Sequence, residues 1–176
     1  MPIANLAELE IYCEVQGSGE PIVLAPASWW PSATWSVGVV PFLSKRFKII
    51  TFDCRGTGRS SQPKDGYTVT QFAQDCIALL AHLGIARCHA VGFALGGQIM
   101  QAMAIARPDL VATLTIAASG AGTKTLAGGQ RSLSPDTERE IGAIGFDRYI
   151  RNYIENDTMA FSPKFYREHR DVVAAL

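Results

Sequence analysis

Short apolar runs alternate with amphipathic stretches along the first 120 residues of the chain. Residues 21–25 (Pro-Ile-Val-Leu-Ala) form an unbroken apolar run between turn residues, a pattern typical of a strand buried on both faces. Similar runs, together with one mixed segment at the start, predict five strands, over 6–15, 21–25, 47–52, 88–93 and 110–118.

Apolar residues at helical spacing predict three helices between these strands, over 35–42, 68–83 and 95–106. The second is the best marked. Thr68 and Gln71 have the spacing of a capping box, and Gly84 stands where a C-terminal cap belongs. Arg107-Pro108 ends the third helix, because a residue that precedes proline avoids the helical backbone conformation.

Strands that alternate with helices predict an α/β fold with a mostly parallel sheet flanked by helices. Right-handed crossovers place helices on both faces of such a sheet. Ligands bind beyond the carboxyl ends of its strands, which here are residues 25–28, 53–59, 93–95 and 118–122. The functional residues are expected in these four segments.

The pattern changes after residue 120. Glycines at 120, 122, 128 and 129 indicate a loose linker, and Ser134-Pro135-Asp136 begins a helix with proline at its first position. Another short helix is predicted to open at Ser162-Pro163, and no parallel-strand pattern follows. The sequence therefore predicts a core domain over 1–122 and a helical segment over 123–176.

Composition excludes several functional classes. The 176 residues contain 16 Lys+Arg and 16 Asp+Glu, so the net charge is zero and a nucleic-acid partner is not expected. With 48% hydrophobic and 18% charged residues, the chain is not a disordered acidic segment. No apolar run reaches the ~18 residues of a membrane span and no secretory leader is visible, so we expect a cytoplasmic protein without a membrane partner.

Cysteine spacing and glycine motifs argue against metals and cofactors. The four cysteines, at 13, 54, 76 and 88, form no CxxC pair and are expected to be free thiols. The chain contains neither a G-x-x-x-x-G-K-[ST] phosphate loop nor a G-x-G-x-x-G dinucleotide fingerprint. No metal and no cofactor is predicted.

The strongest local signal is the segment Val91-Gly92-Phe93-Ala94-Leu95-Gly96-Gly97, which joins a predicted strand to a predicted helix. It resembles G-x-S-x-G, the nucleophile elbow of the α/β-hydrolase superfamily. Residues 52–60 (Phe-Asp-Cys-Arg-Gly-Thr-Gly-Arg-Ser) are similar to the family's D-x-R-G-x-G-x-S turn, and the resemblance extends over about residues 6–120. It implies a hydrolase acting on a small-molecule ester, lactone or related carbonyl substrate, with 123–176 as the start of a helical cap.

The elbow departs from the family at its central position, where Ala94 replaces the nucleophilic serine. Alanine has no hydroxyl and cannot form an acyl-enzyme. One explanation is an engineered Ser→Ala change that traps substrate in an otherwise intact site. The other is a natural pseudoenzyme or ligand-binding receptor. The intact glycine pattern favours the first, because backbone strain persists mainly where function needs it.

The resemblance also assigns the groups around the elbow. Pro26 and Ala27 occupy the family's usual His-Gly positions, so the expected oxyanion donors are the backbone N–H groups of Ser28 and Leu95. Four aromatic residues are candidates for contact with substrate: Trp29, Trp30, Phe93 and Tyr149. Packing of the loop on the core is the favoured explanation for the tryptophans, and packing within the cap explains Tyr149 equally well. Asp53 and Arg55 are interpreted as turn-stabilising, and Cys54 as inert.

No complete triad is predicted in this chain. His82 lies late on a helix, His89 opens a strand at the wrong end for catalysis, and His169 lies in the cap-like tail. We expect the family's acid and histidine to follow strands that this chain lacks. Those strands would come from the rest of the protein or from another chain, and residues 1–176 alone are expected to associate through an exposed strand edge.

Overall fold

The computed structural model describes residues 2–7, 9–28, 30–120, 135–145, 148–149, 152, 167–168 and 170. These residues belong to two compact units. Those up to residue 120 lie in the first, and those from residue 135 lie in the second.

The first unit is built on one six-stranded sheet. Its strands are β1 (Ile3–Leu6), β2 (Leu9–Gln16), β3 (Pro21–Ala25), β4 (Lys48–Phe52), β5 (Cys88–Phe93) and β6 (Val111–Ala117). Their order across the sheet is β1-β2-β4-β3-β5-β6. The pairs β4–β3, β3–β5 and β5–β6 are parallel, while β1–β2 and β2–β4 are antiparallel. The predicted α/β class is confirmed, with antiparallel strands at one edge.

The helices of the first unit lie in the connections between strands. A 3-10 helix (Ser32–Val37) and α1 (Val39–Leu43) follow β3, α2 (Val69–His82) follows β4, and α3 (Leu95–Ala106) follows β5. In the second unit, α4 (Pro135–Ile144) begins at the proline, as predicted. No helix among the residues described combines the length and apolar character needed to cross a lipid bilayer.

Helix α2 has part of the predicted amino-terminal capping box and the predicted carboxyl-terminal glycine cap. Thr68 Oγ1 accepts a hydrogen bond from the Gln71 N–H at 3.2 Å, as a capping box requires. The Gln71 side chain turns instead to Asp75 Oδ1, at 3.2 Å, so only half of the box forms. After the helix, Gly84 takes φ +68°, the left-handed conformation expected of a C-terminal cap.

Three sequence predictions need correction. Segment 6–15 is not one strand, because the chain turns at Ala7 (φ 54°) and β1 pairs back onto β2. Segment 35–42 is divided at Gly38 between the 3-10 helix and α1. The run 110–118 forms β6, yet most of that strand is exposed, with Leu114 at 38% and Ile116 at 39%. It lies at the end of the strand order.

Apolar side chains cover both faces of the sheet. Successive residues of a strand point to opposite faces, so Val23 packs on one side and Leu24 on the other. One face meets α2 and α3 in the larger core cluster, which includes Ile50, Phe52, Leu79, Leu80, Met100 and Met103. The other face packs against Val40 of α1 and Trp35 of the 3-10 helix. Burial on both faces explains the unbroken apolar run of β3.

Strand register brings the predicted site segments to one edge. Ala25, the last residue of β3, pairs with Gly92 of β5, and Phe93 pairs with Ala117 of β6. Asp53 follows directly on β4, which runs parallel to β3. The carboxyl ends of these four strands therefore lie side by side.

Candidate active site

Ala94 occupies a strained turn between β5 and α3. Its backbone has φ 50° and ψ −115°, a conformation that residues other than glycine seldom adopt and that costs of order 1–3 kcal/mol. The Ala94 N–H donates to the carbonyl of Ala117 at 3.0 Å, and the Ala94 carbonyl accepts from the Gly97 N–H at 3.0 Å. Neighbouring β6 and the first turn of α3 thus hold the strained residue in place.

The glycines around Ala94 are required by close backbone contacts. A Cβ at Gly92 would lie 2.2 Å from the Gly96 carbonyl oxygen. A Cβ at Gly96 would lie 2.2 Å from the Ala25 carbonyl oxygen and 2.6 Å from that of Pro26. At Gly97 it would meet the Ser119 side chain at 2.5 Å. The G-x-x-x-G-G spacing is therefore explained by packing of the strand-to-helix turn against β3 and β6.

Helix α3 begins immediately after this turn, so its first backbone N–H groups follow directly on Ala94. Leu95 is the first helical residue, and the early N–H groups of a helix have no acceptor within it. The helix dipole adds a partial positive charge at this end. Phe93, Ala94 and Leu95 are all half-buried, so the turn remains accessible from outside the protein.

The loop after β3 packs next to the elbow. Gly96 touches the carbonyl groups of Ala25 and Pro26, which join the end of β3 to the beginning of α3. Ser28 is half-buried in a turn that the Trp30 N–H closes by donating to the Ala27 carbonyl at 3.3 Å. The structure therefore places both segments that carry the predicted oxyanion donors at the same edge.

The predicted aromatic residues fall into three groups. Trp30 and Phe93 are stacked, with ring centroids 6.2 Å apart and an interplanar angle of 29°. Trp29 lies outside the described residues. Tyr149 belongs to the second unit, where its N–H donates to the Gly145 carbonyl at 3.0 Å. Within the described part of the first unit, Trp30 and Phe93 are brought together, and Phe93 directly precedes Ala94 of the elbow.

Asp53 is a buried carboxylate with a full set of donors. One oxygen, Oδ1, accepts from the N–H and the hydroxyl of Ser32, each at 2.6 Å. The other, Oδ2, accepts from the Arg59 N–H at 3.0 Å and from Arg59 Nε at 3.2 Å. The Ser60 hydroxyl donates to the Asp53 carbonyl at 2.6 Å. The bonds to Arg59 and Ser60 agree with the interpretation of Asp53 as a residue that stabilises its own turn. The bonds to Ser32 instead connect Asp53 to the segment that follows β3, a contact that sequence spacing could not reveal.

Arg55 forms a buried bidentate ion pair with Asp75 of α2. Arg55 Nε lies 2.6 Å from Asp75 Oδ2, and its terminal nitrogen Nη2 lies 2.7 Å from Oδ1. This hydrogen bonding raises the pKa of the Arg55 guanidinium above its ordinary value. The pair fixes the turn after β4 to the helix. Asp75 was not predicted as a partner, although a carboxylate on the apolar face of a helix is itself a sign of buried pairing.

The cysteines are buried and unsuited to nucleophilic chemistry. All four are free thiols, as predicted. Burial, with the nearby Asp75 and Asp53 carboxylates, raises the pKa of Cys54 to about 12. Because the thiolate is the reactive form, Cys54 is inert near neutral pH although it adjoins Asp53.

The described histidines lie away from the elbow. His89 is the second residue of β5, near the opposite end from Ala94, and its ring contacts Thr113 Oγ1 at 2.8 Å and Glu20 Oε2 at 3.2 Å. His82 is exposed at the end of α2. His169 lies outside the described residues. No triad can be assembled from the part of the chain that the structure describes.

Comparisons with known proteins converge on one family. A family model described as the alpha/beta hydrolase fold matches residues 25–159. An Azorhizobium caulinodans protein named "Putative carbamate hydrolase RutD" is 33% identical over 116 residues, which are 66% of this chain and 43% of that protein.

Two solved structures share the fold over nearly the whole chain. Est816, described as an N-acyl homoserine lactone degrading enzyme, superposes with a TM-score of 0.72 at 26% identity, over 98% of this chain and 62% of its own. The enol-lactonase from Burkholderia xenovorans LB400 gives a TM-score of 0.75 at 23% identity, over 98% and 65%. The chain thus spans less than two thirds of the length of each of these three proteins.

Proposed function

Since the chain belongs to the alpha/beta hydrolase fold family, we propose that its first unit is the nucleophile-elbow part of a hydrolase that cleaves an ester, lactone or related carbonyl substrate. The observation that carries this proposal is the backbone of Ala94, held at φ 50° and ψ −115° between β5 and α3. A turn this strained has no evident structural use, and strain of this kind concentrates at functional sites.

The proposed chemistry is acyl transfer with position 94 as the nucleophile position. A serine hydroxyl there would attack the substrate carbonyl, and a histidine from outside this chain would take its proton. The N–H groups of Ser28 and Leu95 would bind the oxygen as it becomes negative, assisted by the amino-terminal dipole of α3. With Ala94 in place, the same site would bind substrate without forming an acyl intermediate.

The aromatic pair beside the elbow supports an apolar or ring-containing acyl or alcohol group. Trp30 and Phe93 stack at the half-buried mouth of the turn, and such surfaces bind apolar groups in small-molecule sites. Trp29 and Tyr149 are proposed as further substrate contacts on the grounds given by the sequence alone. The lactone-cleaving activities named for two structural neighbours agree with this substrate class.

A serine restored at position 94 tests the proposal. In the complete gene product that carries these residues, Ala94→Ser should hydrolyse 4-nitrophenyl acetate at least about 10³-fold faster than the alanine form, the scale of effect seen on losing a triad nucleophile. Ala7→Ser is the matched control, because Ala7 has a similar φ of 54° but lies in the β1–β2 turn. It should stay at background.

A non-catalytic receptor or pseudoenzyme on the same fold is the second candidate. The observation in its favour is the missing hydroxyl of Ala94 itself. Equal background rates of hydrolysis for Ala94→Ser and the alanine form would reject the enzyme and leave this candidate. A native alanine codon at position 94, combined with tight binding of an intact ester, would lead to the same conclusion.

Two further assignments complete the proposal. The second unit, represented by α4, is proposed as the start of the helical cap that follows the core in this family. A cytoplasmic location is proposed on the grounds given by the sequence, together with core strands contributed from beyond this chain.

A further inference from the structure

We propose that Asp53 is a positioning residue for the oxyanion site, acting through Ser32. The β3 loop, defined as residues 26–28 and 30–31, carries the Ser28 N–H and ends at Ser32, the first residue of the 3-10 helix. The inference rests on the proposed hydrolase function. It adds a role for a carboxylate that neither touches substrate nor belongs to the triad.

The contacts of Asp53 make it a rigid anchor. The residue is 0% exposed and Ser32 is 3% exposed, so their hydrogen bonds are shielded from water. Each carboxylate oxygen accepts two donors, from Ser32 on one side and from Arg59 on the other. Bonds to a charged acceptor are about twice as strong as neutral ones, and a buried carboxylate that loses them has no solvent to replace them.

The β3 loop is consequently fixed at both ends. At its beginning, Gly96 packs against the carbonyl groups of Ala25 and Pro26, which sets the loop against α3. At its end, Asp53 holds the N–H and the hydroxyl of Ser32. The turn that contains Ser28 lies between these two anchors, so its N–H keeps a fixed place relative to Leu95 only while both remain.

Arg59 places a positive charge next to the buried Asp53 carboxylate. Its Nε lies 3.2 Å from Asp53 Oδ2, and its guanidinium carbon lies 3.3 Å from the centre of the Tyr12 ring. Arg59 therefore holds one carboxylate oxygen, Oδ2, while Ser32 holds the other, Oδ1. Replacing Asp53 itself would disturb both sides and the turn after β4. Ser32→Ala instead removes a single hydroxyl on the loop side.

Ser32→Ala is compared with Ser36→Ala, the same change within the same 3-10 helix. The exposed Ser36 hydroxyl donates only to the nearby Ala33 carbonyl, at 2.6 Å, and makes no bond to Asp53. Both variants are made in the Ala94→Ser form of the complete gene product and assayed with 4-nitrophenyl acetate. Ser32→Ala should lower kcat by about tenfold or more, approaching the ~10²-fold effect of removing an oxyanion donor.

KM should change much less than kcat, because the oxyanion donor acts mainly in the transition state. Ser36→Ala should leave both constants unchanged. Tryptophan emission gives a second readout that does not need activity. In this chain all three tryptophans lie between residues 29 and 35, so the difference in emission and near-ultraviolet dichroism between each variant and its parent reports on the loop and the 3-10 helix. Ser32→Ala should alter these signals and Ser36→Ala should not.

The outcomes separate this inference from the function on which it rests. An inactive Ala94→Ser parent would reject the hydrolase, and the inference with it. An active parent in which Ser32→Ala and Ser36→Ala have the same kcat would overturn the inference that Asp53 acts through the Ser32 side chain, and would leave the hydrolase standing; the backbone N–H bond of Ser32 to Asp53 is kept in both variants. A fall in kcat without any change in tryptophan emission would also overturn this inference, because the loop would not have moved.

Discussion

Because the elbow is tightly packed, a glycine-to-alanine change should destabilise the protein at Gly96 in α3. The same change at Gly142 in α4 should favour the helix. In α3, a Cβ at Gly96 would stand 2.2 Å from one carbonyl oxygen and 2.6 Å from another. Ordinary contact begins at 3.4 Å, so Gly96→Ala must push α3 away from the end of β3 by roughly 1 Å. Overpacking of this kind costs about 1–3 kcal/mol, and helix propensity returns at most ~1 kcal/mol.

We expect Gly96→Ala to lower the free energy of unfolding by about 2 kcal/mol. With a urea m-value of about 1–3 kcal/mol/M, the midpoint should fall by roughly 1 M. Urea titration followed by tryptophan emission measures this, because all three tryptophans of this chain lie between residues 29 and 35, shortly after the carbonyl groups of Ala25 and Pro26 that Gly96 approaches. The shift should also displace Ser28 from Leu95.

Gly142→Ala is the control, because a Cβ at Gly142 in α4 meets no atom of the described residues within 4 Å. It should leave the tryptophan-detected midpoint unchanged and slightly increase helical dichroism, since alanine favours helix by up to ~1 kcal/mol over glycine. An unchanged midpoint for Gly96→Ala would refute the close approach of α3 to β3, and with it the explanation of the glycine spacing.

Three further predictions concern the surroundings of the site. Asp75→Ala should destabilise the first unit by about 3–5 kcal/mol in a urea titration, because it leaves the buried Arg55 guanidinium without its bidentate partner; a loss below about 1 kcal/mol would contradict the burial of the pair. Burial and the hydrogen bond to Glu14 raise the pKa of Tyr12 to about 12. A raised folded-state pKa stabilises the fold below the unfolded value of about 10, and this contribution should be lost between about pH 10 and 12. The pKa of Tyr12 is measured as the difference between the absorbance titrations of the unsubstituted chain and of Tyr12→Phe. A value near 10 for this difference would refute the raised pKa. A thiol reagent at pH 8 should fail to label Cys54 until the protein unfolds, and labelling of the folded chain would contradict the burial.

Local features of the sequence were sufficient for much of the core. The bounds of β3, β5 and α3 agree with the predicted ranges 21–25, 88–93 and 95–106, because apolar runs and the Arg107-Pro108 helix stop are local signals. The first hairpin was missed for a related reason. Its turn uses Ala7 at φ 54°, where a glycine would have marked the reversal in the sequence.

The position of the elbow could also be predicted from the sequence, but the packing around it could not. Glycine spacing after an apolar run located Ala94, and the structure adds the strained backbone that explains this spacing. The exposure of β6 could not be read from its own residues. A strand's burial depends on which neighbours cover it, and β6 lies at the end of the strand order.

The amino-acid sequence by itself determined the class of fold, the elements around the elbow and the position that lacks a hydroxyl. Tertiary structure alone decided which side chains meet at the carboxyl edge. Ser32 and Asp53 are 21 residues apart, and Arg55 and Asp75 are 20 apart, yet each pair shares buried hydrogen bonds. Hydrophobic periodicity reports only how a segment faces its own core. Contacts between distant loops depend on strand order, which places β3 beside β4 and brings their following loops together.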